Sequence, residues 1–186
     1  MAGRTDPLLG YNFRINLFDS SSSPATAVTS IALTPLVVNP LAGFSECSGL
    51  EMTLETEDYP EGGNNGTVLK FPKRAKWSDI TLRKGITRNS DLFDWYYAFT
   101  QGEGKRKDGL IILMTQAHEP HTVWNFRRGL PVKYTGPQLN AQQSNVAIES
   151  ITIAHEGIAL MSGAAGLAAA VQGAADAVAG AIGGLF

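Results

Sequence analysis

Over much of this chain polar and apolar residues alternate with a period of two, the signature of strands with one dry face and one wet face. Tyr11, Phe13, Ile15 and Leu17 alternate with Asn12, Arg14 and Asn16, which predicts a first strand ending at Asp19. Residues 20–24 ("SSSSP") read as a loop, and "TSIALTPLVV" is interrupted by Pro35, so it is at best an edge strand. Further strands are expected at 43–47 and 50–57. The second places Leu50, Met52 and Leu54 on one face and Glu51, Thr53, Glu55 and Glu57 on the other, and its apolar face is expected to pack inside the protomer. The polar stretch that follows, with Tyr59, Pro60, Glu61, Gly62, Gly63, Asn64 and Asn65, has no apolar surface with which to fold alone. After it come a short run at 67–71 and a strand in "DITLRKGI", with Ile80 and Leu82 inward and Arg83 outward.

The period then changes to that of a helix. In "NSDLFDWYYAFTQG", Asn89 or Ser90 is placed to cap, Asp91 and Asp94 lie in the first turn, and Gly102 is a natural stop. Leu92, Trp95, Tyr96 and Phe99 form the stripe of a helix docked on a sheet. "GLIILMT" is apolar on both faces, which predicts a strand covered on two sides. "HTVWNFRR" is its hairpin partner, turning through "QAHEP". In "NVAIESITIAHEG" the apolar phase slips between Val146/Ile148 and Ile151/Ile153, which predicts either a bulge near Glu149 and Ser150 or burial on both faces. Many strands with one helix predict a mainly β fold, an antiparallel β-sandwich or partial barrel with one flanking α-helix.

At 186 residues the chain is long enough for one domain with its own core. A net charge of −2 excludes the strongly basic balance of a nucleic-acid-binding domain, and the single cysteine, Cys47, leaves no internal disulfide and fits a reducing compartment. The start of the chain has no apolar core of a secretory signal. From Leu160 to Phe186 the chain is mostly Ala and Gly around a sparse apolar stripe and Asp176, which reads as a docking helix or tail rather than a membrane span.

Catalytic chemistry is thin. His118, Glu119 and His121 lie close together but lack a third strong ligand nearby, so a solvated turn is the plainer reading than a metal pair. "GEGKRKDG" lacks the first glycine and the Ser/Thr of a phosphate loop, and "SECSG" does not match GxSxG. No catalytic residue, metal site or cofactor is assigned. Long half-wet strands with free edges are a liability in a monomer, and closing the sheet with further copies removes them.

Five stretches in order, "AGFSECSGLEMTLETEDYPEGGNN", "KWSDITLRKGIT", "LFDWYY", "LPVKYTGPQLNA" and "VAIESITIAHEGI", resemble the inner tube proteins of contractile injection systems, relatives of the contractile phage tail tube proteins. The resemblance implies a protomer that completes a β-barrel tube as a homo-hexamer, with stacked rings inside a contractile sheath. It implies sheath, baseplate and cap proteins as partners and effector cargo in the lumen, with no specific nucleic acid. It also implies a particle that is cytoplasmic, membrane-anchored or released. The resemblance makes the stretch from Tyr59 to Asn65 an inter-subunit arm. Strands around 50–57, 80–86, 110–115 and 146–153 become candidates for the barrel wall, with Glu51, Glu55 and Glu57 a possible lumen face. Residues 1–158 form the tail-tube-like domain in this reading and 159–186 an Ala/Gly-rich extension. A tube-initiating baseplate ring or a type VI secretion tube protein is the neighbouring alternative, and a small metal-dependent hydrolase the distant one.

Overall fold

The computed structural model describes residues 7–20, 43–60 and 66–162. Nine strands and one helix follow in the order β1 (Phe13–Asp19), β2 (Phe44–Ser48), β3 (Met52–Pro60), β4 (Val68–Trp77), β5 (Ile80–Gly85), α1 (Asp91–Thr100), β6 (Lys107–Met114), β7 (Pro120–Thr135), β8 (Ile148–Ala154) and β9 (Ile158–Ser162). Seven of the strands form one antiparallel sheet, ordered β1-β6-β7-β8-β5-β2, with β9 added to β7. The remaining pair, β3 and β4, is a separate two-stranded sheet. The interrupted run around Pro35, the arm residues 61–65 and the chain beyond 162 lie outside the described residues.

The long strand β7 joins two halves of the sheet. Its first half pairs with β6 and β9, and its second half pairs with β8. The core lies where the halves face each other: Ile15, Leu17, Ile111 and Phe126 come from one, and Ile80, Leu82, Ile151 and Ile153 from the other. The helix closes this core with Leu92 and Trp95, both buried, while Phe99 packs against it half-buried. Trp95 also donates its indole N–H to the Lys105 carbonyl at 2.9 Å, so the ring pins the loop leaving the helix. Tyr96 lies at the rim, against Tyr134. Ser90 occupies the N-cap position, but its hydroxyl donates to the Asp94 carboxylate at 2.6 Å instead of accepting a backbone N–H. Leu110 and Ile111, neighbours on opposite faces of β6, are both buried, as a strand covered on two sides requires.

Several expectations need correction. The phase slip before Ile151 is neither a bulge nor two-sided burial. Strand β8 pairs with β5 without interruption from Ile148 to Ile153. Glu149 takes the core position in phase with Ile151 and Ile153, while Val146 and Ile148 face out. Strand β7 runs past the expected "HTVWNFRR" to Thr135, with a register shift against β8 between Pro131 and Lys133. Strand β4 likewise continues past 71 to Trp77, its Pro72 falling at the bulge opposite Leu54 and Thr56. Finally, β9 carries the main sheet to Ser162, past the domain boundary expected at 158.

Candidate functional site

The largest departure concerns β3 and β4. The alternation of β3 is as expected, but its apolar face does not enter the protomer core: Met52 is 68% exposed and Leu54 55% exposed. The strand lies in a hairpin that pairs with no strand of the main sheet, so it has no core to face. Leu50, one residue before the hairpin's base, is the member of that set packed on the core. Along β4 every residue is exposed except Trp77, and along β3 every residue except Glu55. Toward the tip, Tyr59 and Phe71 meet edge-on at 6.2 Å between ring centroids, with Val68 and Leu69 beside them, all exposed. Tyr59 and Pro60, read from sequence as arm, are thus the last residues of a strand.

The acidic residues of β3 are not a single-sign face. Glu55 pairs with Lys76, Glu57 with Lys73 at 3.3 Å, and Asp58 with Lys70 at 2.8 Å, all across the hairpin. Glu51 accepts a hydrogen bond from the Ser78 hydroxyl at 3.4 Å. Cross-strand pairs of opposite charge favour this register modestly. A two-stranded hairpin exposed on both faces is marginal in water by itself. What it offers is unpartnered surface: six large apolar side chains, Met52, Leu54, Tyr59, Val68, Leu69 and Phe71, on one projecting element.

Elsewhere the chemistry is structural. His118 and Glu119 sit exposed in the β6–β7 turn and His121 exposed at the start of β7, its ring 2.9 Å from the Thr122 hydroxyl. No group of three or more His, Cys, Asp or Glu able to hold a metal occurs among the described residues. The Cys47 thiol is pushed up to about 11, first by burial and then by Glu46 beside it, so it is a poor nucleophile near neutrality. A cavity of about 710 Å³ under the β7–β8 loop is lined by Arg83, Gln138, Asn140, Asn145 and Glu149 among others, with no histidine or cysteine among its lining residues. The buried pair Lys84 and Glu149, invisible in the apolar pattern, lies 3.3 Å apart, and the Tyr134 hydroxyl donates to Glu149 at 2.7 Å.

Residues 10–159 match the family described as T4-like virus tail tube protein gp19. The chain belongs to that family.

No curated protein matches this tail tube protein. Solved structures share its fold. A chain in the cryo-EM structure of the anti-feeding prophage baseplate is similar with a TM-score of 0.70 at 21% identity, over 86% of this chain and 98% of that one. A chain in the sheath–tube complex of an extracellular contractile injection system (PVC), in its extended state, gives 0.65 at 24% identity, over 84% and 92%. A type six secretion system protein is more distant, at 0.51 and 14% identity over 81% and 83%. The matching family is one of tail tube proteins. No described helix is long and apolar enough to cross a membrane.

Proposed function

We propose that copies of this chain close into six-membered rings, and that the rings stack into the rigid inner tube of a phage tail-like injection particle. The tube forms inside a contractile sheath, between a baseplate and a cap, and carries effector cargo in its lumen. The observation that carries this reading is the β3–β4 hairpin, which exposes six large apolar side chains in a chain of the tail tube family. Interfaces between copies draw on apolar and aromatic side chains, and the hairpin supplies them where the protomer has no use for them. The inter-subunit arm is therefore the hairpin as a whole, with residues 61–65 at its tip. Strand β9, to Ser162, belongs with the tail-tube-like domain because it pairs with β7, and the chain is made in the cytoplasm.

The wall facing the channel is the wet face of β2, β5, β8 and β7. Cross-strand register aligns two rows on these strands: Ser48, Thr81, Thr152 and Lys133 in one, and Glu46, Arg83, Ser150 and Thr135 in the other. Thr81 and Thr152 share a hydrogen bond at 3.3 Å, and Arg83 pairs with Glu46 at 3.0 Å. A face of hydroxyls with one ion pair and one further lysine lacks the apolar anchors of a subunit contact and lets a folded cargo pass without sticking. Glu51, Glu55 and Glu57 remain the second candidate for this face, with Glu55 and Glu57 paired to Lys76 and Lys73.

Negative-stain electron microscopy of the purified full chain, before and after concentration and with sheath and baseplate added as template, tests the assembly. Stacked hollow rings of six are expected. A protein that remains monomeric even with template would refute the reading, while tubes of unchanged length after deletion of residues 60–65 would refute the role of the arm alone.

A further inference from the structure

The hairpin must leave the protomer at one angle if stacked copies are to meet it, yet little holds it. Strands β3 and β4 pair with each other and with no other described strand. The chain enters the hairpin through Gly49, whose φ of +90° suits glycine, and a side chain there would start 2.0 Å from the Asp79 carbonyl oxygen. It leaves through Ser78, whose N–H donates to the Glu51 carbonyl at 3.2 Å and closes the base. Two short strands of backbone are a hinge unless a side chain braces them.

One side chain does. His155, in the turn between β8 and β9, places Nε2 3.0 Å from the Ser78 carbonyl oxygen, while the Gly157 N–H donates to its Nδ1 at 3.2 Å. A carbonyl only accepts and an amide N–H only donates, so Nε2 carries the hydrogen and Nδ1 the lone pair. The same ring lies edge-on to Trp77 at 6.3 Å and against Phe126 of the core at 6.1 Å. Trp77 is the one residue of β4 that is not exposed, and its indole also lies beside Gly157. Core, turn and hairpin base thus meet at a single imidazole.

We infer that His155 is the latch that sets the angle of the β3–β4 hairpin, and so a positioning residue for assembly. This rests on the reading of the hairpin as the contact between copies. The ring acts by direction: one nitrogen holds the base of the hairpin, and the other holds the turn that aims the ring. Apolar contact with Trp77 alone leaves the hairpin free to pivot about Gly49 and Ser78.

The test uses the full chain carrying Cys47→Ala with spin labels at Leu69→Cys on the hairpin and Lys133→Cys on the body, at concentrations below assembly. The distance distribution is compared for His155, His155→Phe and His155→Gln. Phenylalanine keeps the contacts with Trp77 and Phe126 and loses both hydrogen bonds, while glutamine keeps a donor for Ser78. A distribution at least twofold broader in His155→Phe, narrowed again in His155→Gln, is expected, with the unfolding of the body still cooperative in both. Wild-type width in His155→Phe, or no narrowing in His155→Gln, overturns the latch. Templated tube length separates the two readings: a broadened distribution with tubes of normal length leaves the latch standing and removes the hairpin from assembly.

Discussion

Replacing Glu149 by glutamine removes one charge from a pair that water does not reach. Lys84 is fully buried and Glu149 is 5% exposed, with the ammonium 3.3 Å from one carboxylate oxygen. That ammonium makes no hydrogen bond in acceptable geometry, so its compensation is the charge of Glu149 itself. The other carboxylate oxygen accepts from the Tyr134 hydroxyl. Breaking one side of such a pair costs about 3–5 kcal/mol, because the remaining charge stays buried. Substituting both, Lys84→Met with Glu149→Leu, removes the orphaned ammonium and leaves only the Tyr134 hydroxyl without its acceptor, a loss of about 1–3 kcal/mol. The double variant is therefore expected to be more stable than Glu149→Gln alone, a large departure from additivity. For a chain of this length 1 kcal/mol moves the melting temperature by roughly 2–4 °C, so the single variant should lose roughly 6–20 °C. Urea unfolding of the protomer below its assembly concentration reads both effects, provided the m-values agree. A loss under about 1 kcal/mol for Glu149→Gln, the range of an exposed pair, would refute the reasoning. So would additive effects of the two positions. The pair is also register-specific, since Lys84 and Glu149 are direct partners across β5 and β8 and a one-residue slip would turn both out of the core.

Three further outcomes are expected. Trp95→Ala should destabilise the protomer by about 3–5 kcal/mol, since it empties a buried ring site and frees the Lys105 carbonyl; a loss near zero in urea unfolding would mean the helix is not docked there. Phe71→Ser, at a position 53% exposed on the hairpin, should change protomer stability by no more than about 0.5 kcal/mol while sharply shortening templated tubes in micrographs; a large stability loss would place Phe71 in a core. Alkaline titration should destabilise the fold in two stages. Cys47 is raised from 9.0 to about 11 and Tyr134 from 10.0 to about 12, chiefly by burial in both cases, so the folded state keeps protons that the unfolded state has lost. The stability they contribute is full below pH 9 and falls as pH rises through these windows; Cys47→Ala should remove the part between pH 9 and 11, and an unchanged profile would refute its assignment.

Much of the body was legible in consecutive residues. Strands β1, β5 and β6 and helix α1 each follow from a local period, although on β1 the expected wet face is broken by Asn16, which is buried between Ile15 and Leu17. The corrections share another cause. Strands β4 and β7 run past their expected ends through Pro72 and Pro131, beside register shifts that only the opposing strand reveals. The apolar phase of β8 slips because a core position holds Glu149, which is tolerable only when Lys84 arrives from β5, 65 residues earlier in the chain. Met52 and Leu54 carry the pattern of a buried face, but alternation specifies two faces and not what covers either. His155, placed at the hairpin base by the β8–β9 turn, has no signal in sequence at all, since its partners Ser78 and Trp77 lie far away along the chain. The sequence by itself determined most of the strands, though not β9 or the full length of β4 and β7, and also the helix and the family, because local periodicity and ordered motifs are carried by neighbouring residues. Only the tertiary structure decided which face is wet, which charge is paired and that the acidic strand stands clear of the core, because each depends on the position of residues distant in sequence.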